Sequence, residues 1–376
     1  MSDTNTIENK HIIKCLAAVR RGNNRYFMFP WADGGTLRDY WNESRQHSRR
    51  SNVVKEAVEQ LYGLSGALVK LHDFKVEPIP SSPESITHLV TVQEPDSERD
   101  IIIVQEPHEE GGSVTVQKPG DEETGGIRHG DLKPENILRF IENETDNDSD
   151  LCTLKIADMG LAKRHILATR ERNGATTTIY ASRQYEPPER DKAEPLSRLY
   201  DVWSMGCIIL DYIIWILYGN DELKRFNKEI QNRSQIPRYF HIPEGDGTDK
   251  AEATISPDVQ HWMEFIRTRD PECRKESAIK DLLDLVETKL LVPSKSMGPG
   301  RATALGLREE LDKILAKIKN GNHDYVLTAT NLDIIEKVPP PGDLLTPGVA
   351  NDDNLVSYQF HCACHFSLPL LTESHL

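Results

Sequence analysis

Four side chains near the middle of the chain carry the groups that moving a phosphoryl group requires. Residues 128–136 read Arg128-His129-Gly130-Asp131-Leu132-Lys133-Pro134-Glu135-Asn136, and Asp158-Met159-Gly160 follows about twenty positions later. In such a transfer a carboxylate orients the attacking hydroxyl and accepts its proton. A cation offsets charge on the group in flight, and an amide oxygen with a second carboxylate holds Mg2+. Asp131, Lys133, Asn136 and Asp158 offer one group for each task. Pro134 stiffens the loop through its fixed φ. Any one of these tripeptides alone reads as an exposed turn; their occurrence together and in order points to chemistry.

These groups need a scaffold, and the surrounding pattern predicts one. Ile137 to Phe140 and Leu154 to Ala157 read as a strand pair bracketing the acidic loop Glu142 to Asp150, which folds Asp158 back beside the first cluster. Upstream, the apolar runs of His11 to Trp31 flank a polar Arg-Arg-Gly-Asn-Asn turn, a hairpin signal. A flexible stretch, Ala32 to Thr36, leads to a charged helical segment around Leu37 to Gln46. From Asn52 to His72, Val54, Ala57, Val58, Leu61, Leu64, Leu68 and Leu71 recur at spacings of three and four, which predicts an amphipathic helix. Further helices are predicted over Val259 to Thr268, Ile279 to Leu291 and Ala302 to Ile318.

Between Asp73 and Ile127 the chain turns acidic and proline-bearing, with Val-Gln-Glu-Pro or Val-Gln-Lys-Pro recurring at Val92, Val104 and Val116. This reads as an inserted surface loop, with a partner-binding element as the alternative. The proline-rich stretch after residue 318 marks a tail. Its His361-Cys362-Ala363-Cys364-His365 offers soft metal ligands, but donors this closely spaced strain a single tetrahedral centre.

Lys and Arg total 45 against 60 Asp and Glu, a net charge of -15, which repels phosphate backbones and argues against nucleic acid as a partner. The six cysteines show no disulfide spacing, and residues 1–10 are polar rather than leader-like, so an intracellular protein with free thiols is expected. Val202 to Tyr218 is apolar enough to raise a membrane question. It is short for a span and carries Asp211, so a helix buried on all sides is the better reading and no membrane partner is expected.

The 128–136 and 158–160 segments resemble the eukaryotic protein kinase family, whose catalytic loop reads H-R-D-L-x-x-x-N and whose metal motif reads D-F-G. Tyr185-Glu186-Pro187-Pro188-Glu189 is similar to the family's activation-segment end, and Tyr200 to Gly206 to the start of its central buried helix. The resemblance implies an α+β fold, with a mainly helical large lobe and a β-rich small lobe, and a serine/threonine kinase using ATP and Mg2+ on protein substrates. It makes Asp131 the catalytic base, Lys133 the phosphate-stabilising lysine, and Asn136 and Asp158 metal ligands. His129 and Asp201 take structural roles, Asp201 by accepting backbone N–H groups of the catalytic loop. Glu189 is expected to pair with a buried arginine, for which Arg301 is the candidate. Ser182 matches a hydroxyl that contacts the base and the lysine.

Aligning Gly34 and Gly35 with the glycine pair after the family's hinge makes Phe29 the back of the adenine pocket and Pro30 to Ala32 the hinge. Two departures stand out. Gly130 replaces an arginine that in many members receives the phosphate of the activation loop, so switching by that route is not expected, whether or not Thr176, Thr177 and Thr178 are modified. Met159 stands where phenylalanine is usual and fills the same apolar slot.

Only ten residues precede His11, and they contain no glycine-rich loop, β3 lysine or helix glutamate. The expected layout is a small-lobe remnant and hinge over 1–35, a large lobe over 36–318 with the insert at 73–127, and a tail over 319–376. With its long acidic insert the chain is similar to kinase-domain proteins of filamentous fungi, shortened at the small lobe. The alternative function is a pseudokinase or kinase-like scaffold acting by protein binding, with this shortened chain itself inactive.

Overall fold

The computed structural model describes residues 8–21, 24–43, 50–74, 126–141, 152–159, 163–164, 183–192, 196–232, 237–243, 252–293, 300–321 and 323–327. The chain divides into two units at Pro339, and all described residues lie in the first. The acidic insert and its repeats, the 142–150 loop, Thr176 to Thr178, Ser182 and the His-Cys-Ala-Cys-His run fall outside the described residues.

Strands β1 (Ala17–Arg21) and β2 (Asn24–Met28) form the predicted hairpin, in a register running from Ala17 opposite Met28 to Arg21 opposite Asn24. Val19, Tyr26 and Met28 share one face, Leu16, Phe27 and Phe29 the other, and every one of these side chains is more than a third exposed. A ribbon apolar on both faces has the composition of a sheet covered from both sides.

Helix α1 (Leu37–Glu43) buries Leu37 and Trp41, and α2 (Ser51–His72) buries every apolar position expected of it. Next come β3 (Ile127–Arg128), then β4 (Ile137–Ile141) antiparallel to β5 (Cys152–Ile156), and β6 (Lys163–Arg164), which pairs with β3. A short helix α3 (Pro188–Asp191) precedes α4 (Leu199–Asn232), which is two helical segments meeting at a break at Gly219. Strands β7 (Phe240–His241) and β8 (Thr254–Ile255) follow. The remaining helices are α5 (Pro257–Arg269), α6 (Ala278–Leu285), α7 (Ala304–Lys319) and α8 (His323–Val326).

The apolar stretch of α4 is the axis of the core. It is long and apolar enough to cross a membrane by length and composition, and 89% of that window is buried inside the protein. A helix apolar all round needs cover on every side, and α1, α2, α5, α6 and α7 supply it. Helix starts are locally encoded: Ser277 and Thr303 cap α6 and α7 by accepting the N–H groups of Lys280 and Gly306, both at 3.1 Å. The packed chain runs past residue 318, since Tyr325, Val326 and Leu327 are buried against the same core.

One charged pair inside this core is fully satisfied. Glu189, in α3, forms a bidentate pair with Arg301 at 2.7 and 3.1 Å. The same guanidinium donates to the carbonyls of Val292 (3.1 Å) and Leu199 (2.9 Å) and stacks over Trp203, 4.9 Å from its ring centre. The tie joins α3 to the start of α4 and to the turn before α7. Glu189→Ala would strand this guanidinium in the core, an expected loss of about 3–5 kcal/mol. A denaturation midpoint unchanged from the parent chain would show that the pair ties nothing together.

Candidate functional site

The loop from His129 to Asn136 is held by a carboxylate on the central helix. Asp201 is fully buried, and its Oδ2 accepts the His129 N–H at 2.9 Å while Oδ1 accepts the Gly130 N–H at 2.9 Å. His72 Nε2, from the end of α2, reaches Oδ2 at 2.8 Å. Gly130 has φ of 80°, a left-handed conformation that a side chain disfavours. Glycine at the position of the family's arginine thus matches the backbone this turn adopts.

His129, fully buried, links the loop to the second motif. The Asp131 N–H donates to its Nδ1 at 3.2 Å, which leaves the proton on Nε2 to donate to the Ala157 carbonyl at 2.9 Å. Ala157 in turn donates its N–H to the Asn136 carbonyl at 2.9 Å, extending the β4–β5 ladder by one step. Asp158 is therefore the next residue beyond Asn136's backbone partner. Its side chain is exposed, and its φ of 60° is the one positive value at a non-glycine residue among those described. Backbone held in this region is stored strain, which concentrates at working sites.

Three of the four chemistry-bearing side chains meet directly. Lys133 Nζ lies 2.9 Å from Asp131 Oδ2, and Asn136 Nδ2 donates to the Asp131 carbonyl at 2.8 Å and to its Oδ2 at 3.1 Å. With its amide N–H groups directed at Asp131, Asn136 presents Oδ1 as the atom for a cation. That oxygen and the Asp158 carboxylate are hard donors of the kind Mg2+ takes, with water and phosphate oxygens filling its remaining positions. The residues present fit the ion.

The β4–β5 pair is braced on both edges. Backbone bonds join Ile13 N to Ile156 O (2.9 Å) and Ile156 N to His11 O (2.8 Å) on one side, and Gly34 N to Arg139 O (3.0 Å) and Arg139 N to Gly35 O (2.8 Å) on the other. A Cβ at Gly34 would lie 2.9 Å from the Arg139 carbonyl, so this approach excludes any larger residue. The glycine pair that follows the expected hinge therefore lies along the strand that leads out of Asn136. Pro30 and Ala32 are half-buried, and the Ala32 carbonyl accepts the Gly35 N–H at 3.1 Å.

Phe29 differs from expectation, because 49% of it is exposed. A pocket's back wall is a side chain packed from behind, and this ring stands open on the uncovered hairpin.

The sequence reading passed over a second buried network beside the loop. Asp211, fully buried in α4, accepts the hydroxyls of Tyr185 at 2.6 Å and Tyr239 at 2.5 Å. Arg38 donates to Tyr185 Oη at 2.5 Å and to Glu135 at 2.9 Å, tying α1 to the 129–136 loop. Burial pushes the Asp211 pKa up, opposed by Arg38 and the two phenols. The available signal was the carboxylate itself, since an acid inside an apolar run must find partners.

The protein kinase domain family model matches residues 124–284. The mitogen-activated protein kinase mpkA of Aspergillus fumigatus is 26% identical over 241 residues, covering 63% of this chain and 52% of that protein. The stress-activated protein kinase JNK of Suberites domuncula is 32% identical over 119 residues, 31% of this chain and 29% of that protein. GLH-binding kinase 1 of Caenorhabditis elegans is 32% identical over 107 residues, 28% of this chain and 24% of that protein. The chain spans about half, or less, of the length of these relatives.

Gly130→Ala places a Cβ on a left-handed backbone and is expected to destabilise the protein by about 1–2 kcal/mol. A urea midpoint at or above that of the parent chain would show that the turn relaxes to an ordinary φ.

Proposed function

We propose that this chain carries a eukaryotic-type protein kinase domain and transfers the terminal phosphoryl group of Mg-ATP to serine and threonine hydroxyls of proteins. The observation that carries the reading is the Asp131, Lys133 and Asn136 cluster, with Asp158 one ladder step away. Asp131 orients the incoming hydroxyl and takes its proton. Lys133, 2.9 Å from that carboxylate, lies where a cation offsets charge on the phosphoryl group and steadies Asp131 until substrate arrives. Asn136 and Asp158 would hold Mg2+, which when bound bridges and neutralises phosphate oxygens. Lysine two positions after the base is what the serine/threonine branch carries, and this supports hydroxyl rather than phenol acceptors. The four described cysteines are free thiols, which suits the reducing interior of a cell.

A second reading, protein binding without transfer, draws on the exposed apolar hairpin and the open Phe29 ring. Incubating the chain with radiolabelled ATP, Mg2+ and a mixed protein substrate separates the two. Transfer is expected to yield phosphoserine and phosphothreonine, and Asp131→Asn to slow it by about 10²- to 10⁴-fold while ATP binding persists. Equal labelling by parent and Asp131→Asn, or labelling of tyrosine alone, would contradict the proposal. ATP-independent binding of partners with no transfer would favour the scaffold.

A further inference from the structure

Among the described residues, the β1–β2 hairpin pairs with no third strand. Leu16, Val19, Phe27, Met28 and Phe29 are each about half exposed or more along it, and Trp31, just beyond β2, is 80% exposed. A two-stranded ribbon is marginal in water by itself, and an open strand edge is a template for a further strand. Apolar side chains grouped on one ribbon in this way mark a docking surface rather than scattered exposure.

The ribbon also gathers residues of one charge at its turn. The register sets Arg20 opposite Arg25 and Arg21 opposite Asn24, and Arg21 is exposed. Like charges directly opposite one another destabilise a ribbon, so this end favours an anionic neighbour. An occupant of the edge therefore needs strand propensity, apolar side chains toward both faces, and carboxylates at the end that meets the turn.

One segment of this chain combines all three. The repeats of the acidic insert differ in what leads into their glutamine. Val90-Thr91-Val92 and Val114-Thr115-Val116 alternate apolar and polar, which suits a sheet with one wet face. Ile101-Ile102-Ile103-Val104 is apolar and β-branched at every position, so as a strand it presents apolar groups to both sides. With Gln105 the run matches the five residues of β1 and of β2, and Glu106, Glu109 and Glu110 follow it. Pro107 has no N–H and ends the strand pattern. Reach is ample, since the 25 residues from 75 to 99 extend up to about 80 Å from Phe74, just past the end of α2.

From this match we infer that residues 101–105 of the insert dock on the hairpin of the same chain as a third strand, antiparallel to β2 on its outer edge. That direction brings the glutamates after the run to the turn with its three arginines. Backbone pairing supplies the affinity, and the β-branched side chains flank the aromatic ones across the strands. The docking needs no phosphoryl transfer, so it stands or falls apart from the proposed activity.

The test is amide hydrogen exchange on the full chain, followed at the β2 amides that point away from β1. Protection is expected in the parent chain. Exchange there is expected to be about tenfold or more faster in Ile102→Pro, which removes a donor from the docked strand, and unchanged in Ser97→Pro outside the run, with the α4 amides unaffected in both. Outward β2 amides that exchange in the parent as fast as in Ile102→Pro would overturn the inference. Protection that survives Ile102→Pro would assign the edge to another occupant, and protection lost on dilution would assign the strand to a second copy of this chain; either result also overturns it.

Discussion

A carboxylate with no access to water must collect hydrogen-bond donors, and Asp201 collects three, from His129, Gly130 and His72. Two of these are main-chain N–H groups of the loop that carries Asp131, and the third is a side chain at the end of α2. The acceptor stands on the central helix, whose apolar window is 89% buried. A loop whose regular structure is limited to a 3-10 turn over Pro134–Asn136 thereby takes its position from a rigid element, the arrangement that lets surface loops carry chemistry. Removing the acceptor would leave donors buried and unpaired, at about 1–3 kcal/mol each, so the interaction is costly to break as well as directional.

The rest of the site follows by short steps from that anchor. His129 is fixed at its N–H by Asp201, and its ring spans from the Asp131 N–H to the Ala157 carbonyl. The ring therefore joins the strand end that bears Asp158 to the loop that bears Asp131. The β4–β5 pairing supplies the same connection through the backbone, and the 11–13 and 34–36 segments brace its two edges. The central helix can serve as the reference for all of this because 89% of its apolar window is buried and its inner acid Asp211 is satisfied by two tyrosines, as its neighbour Glu189 is by Arg301.

How much of this was legible depended on how local each signal was. The meeting of Asp131, Lys133 and Asn136 was legible because they lie in one short run. The α2 face was legible because periodicity alone marks which side is buried, and the apolar run with a single acid gave away the central helix. The Asp211 network was not, because Arg38, Tyr185 and Tyr239 come from separate elements and no spacing rule links them. The exposure of Phe29 was equally hidden, since an apolar alternation states that a face wants cover and not what supplies it. The continuation of the core through Leu327 was missed because proline and polar content further on outweighed a four-residue helix in the reading of the tail.

The most direct test is amide hydrogen exchange at His129 and Gly130 in the parent chain and in Asp201→Asn. An asparagine of the same shape keeps one acceptor oxygen and turns an N–H2 group toward the other donor. The account predicts that both amides are protected to the level of the α4 core in the parent, and that at least one exchanges about ten- to a hundredfold faster in the variant while α4 is unaffected. Exchange at both sites unchanged by the substitution would contradict it, because the loop would then take its position from something other than this carboxylate.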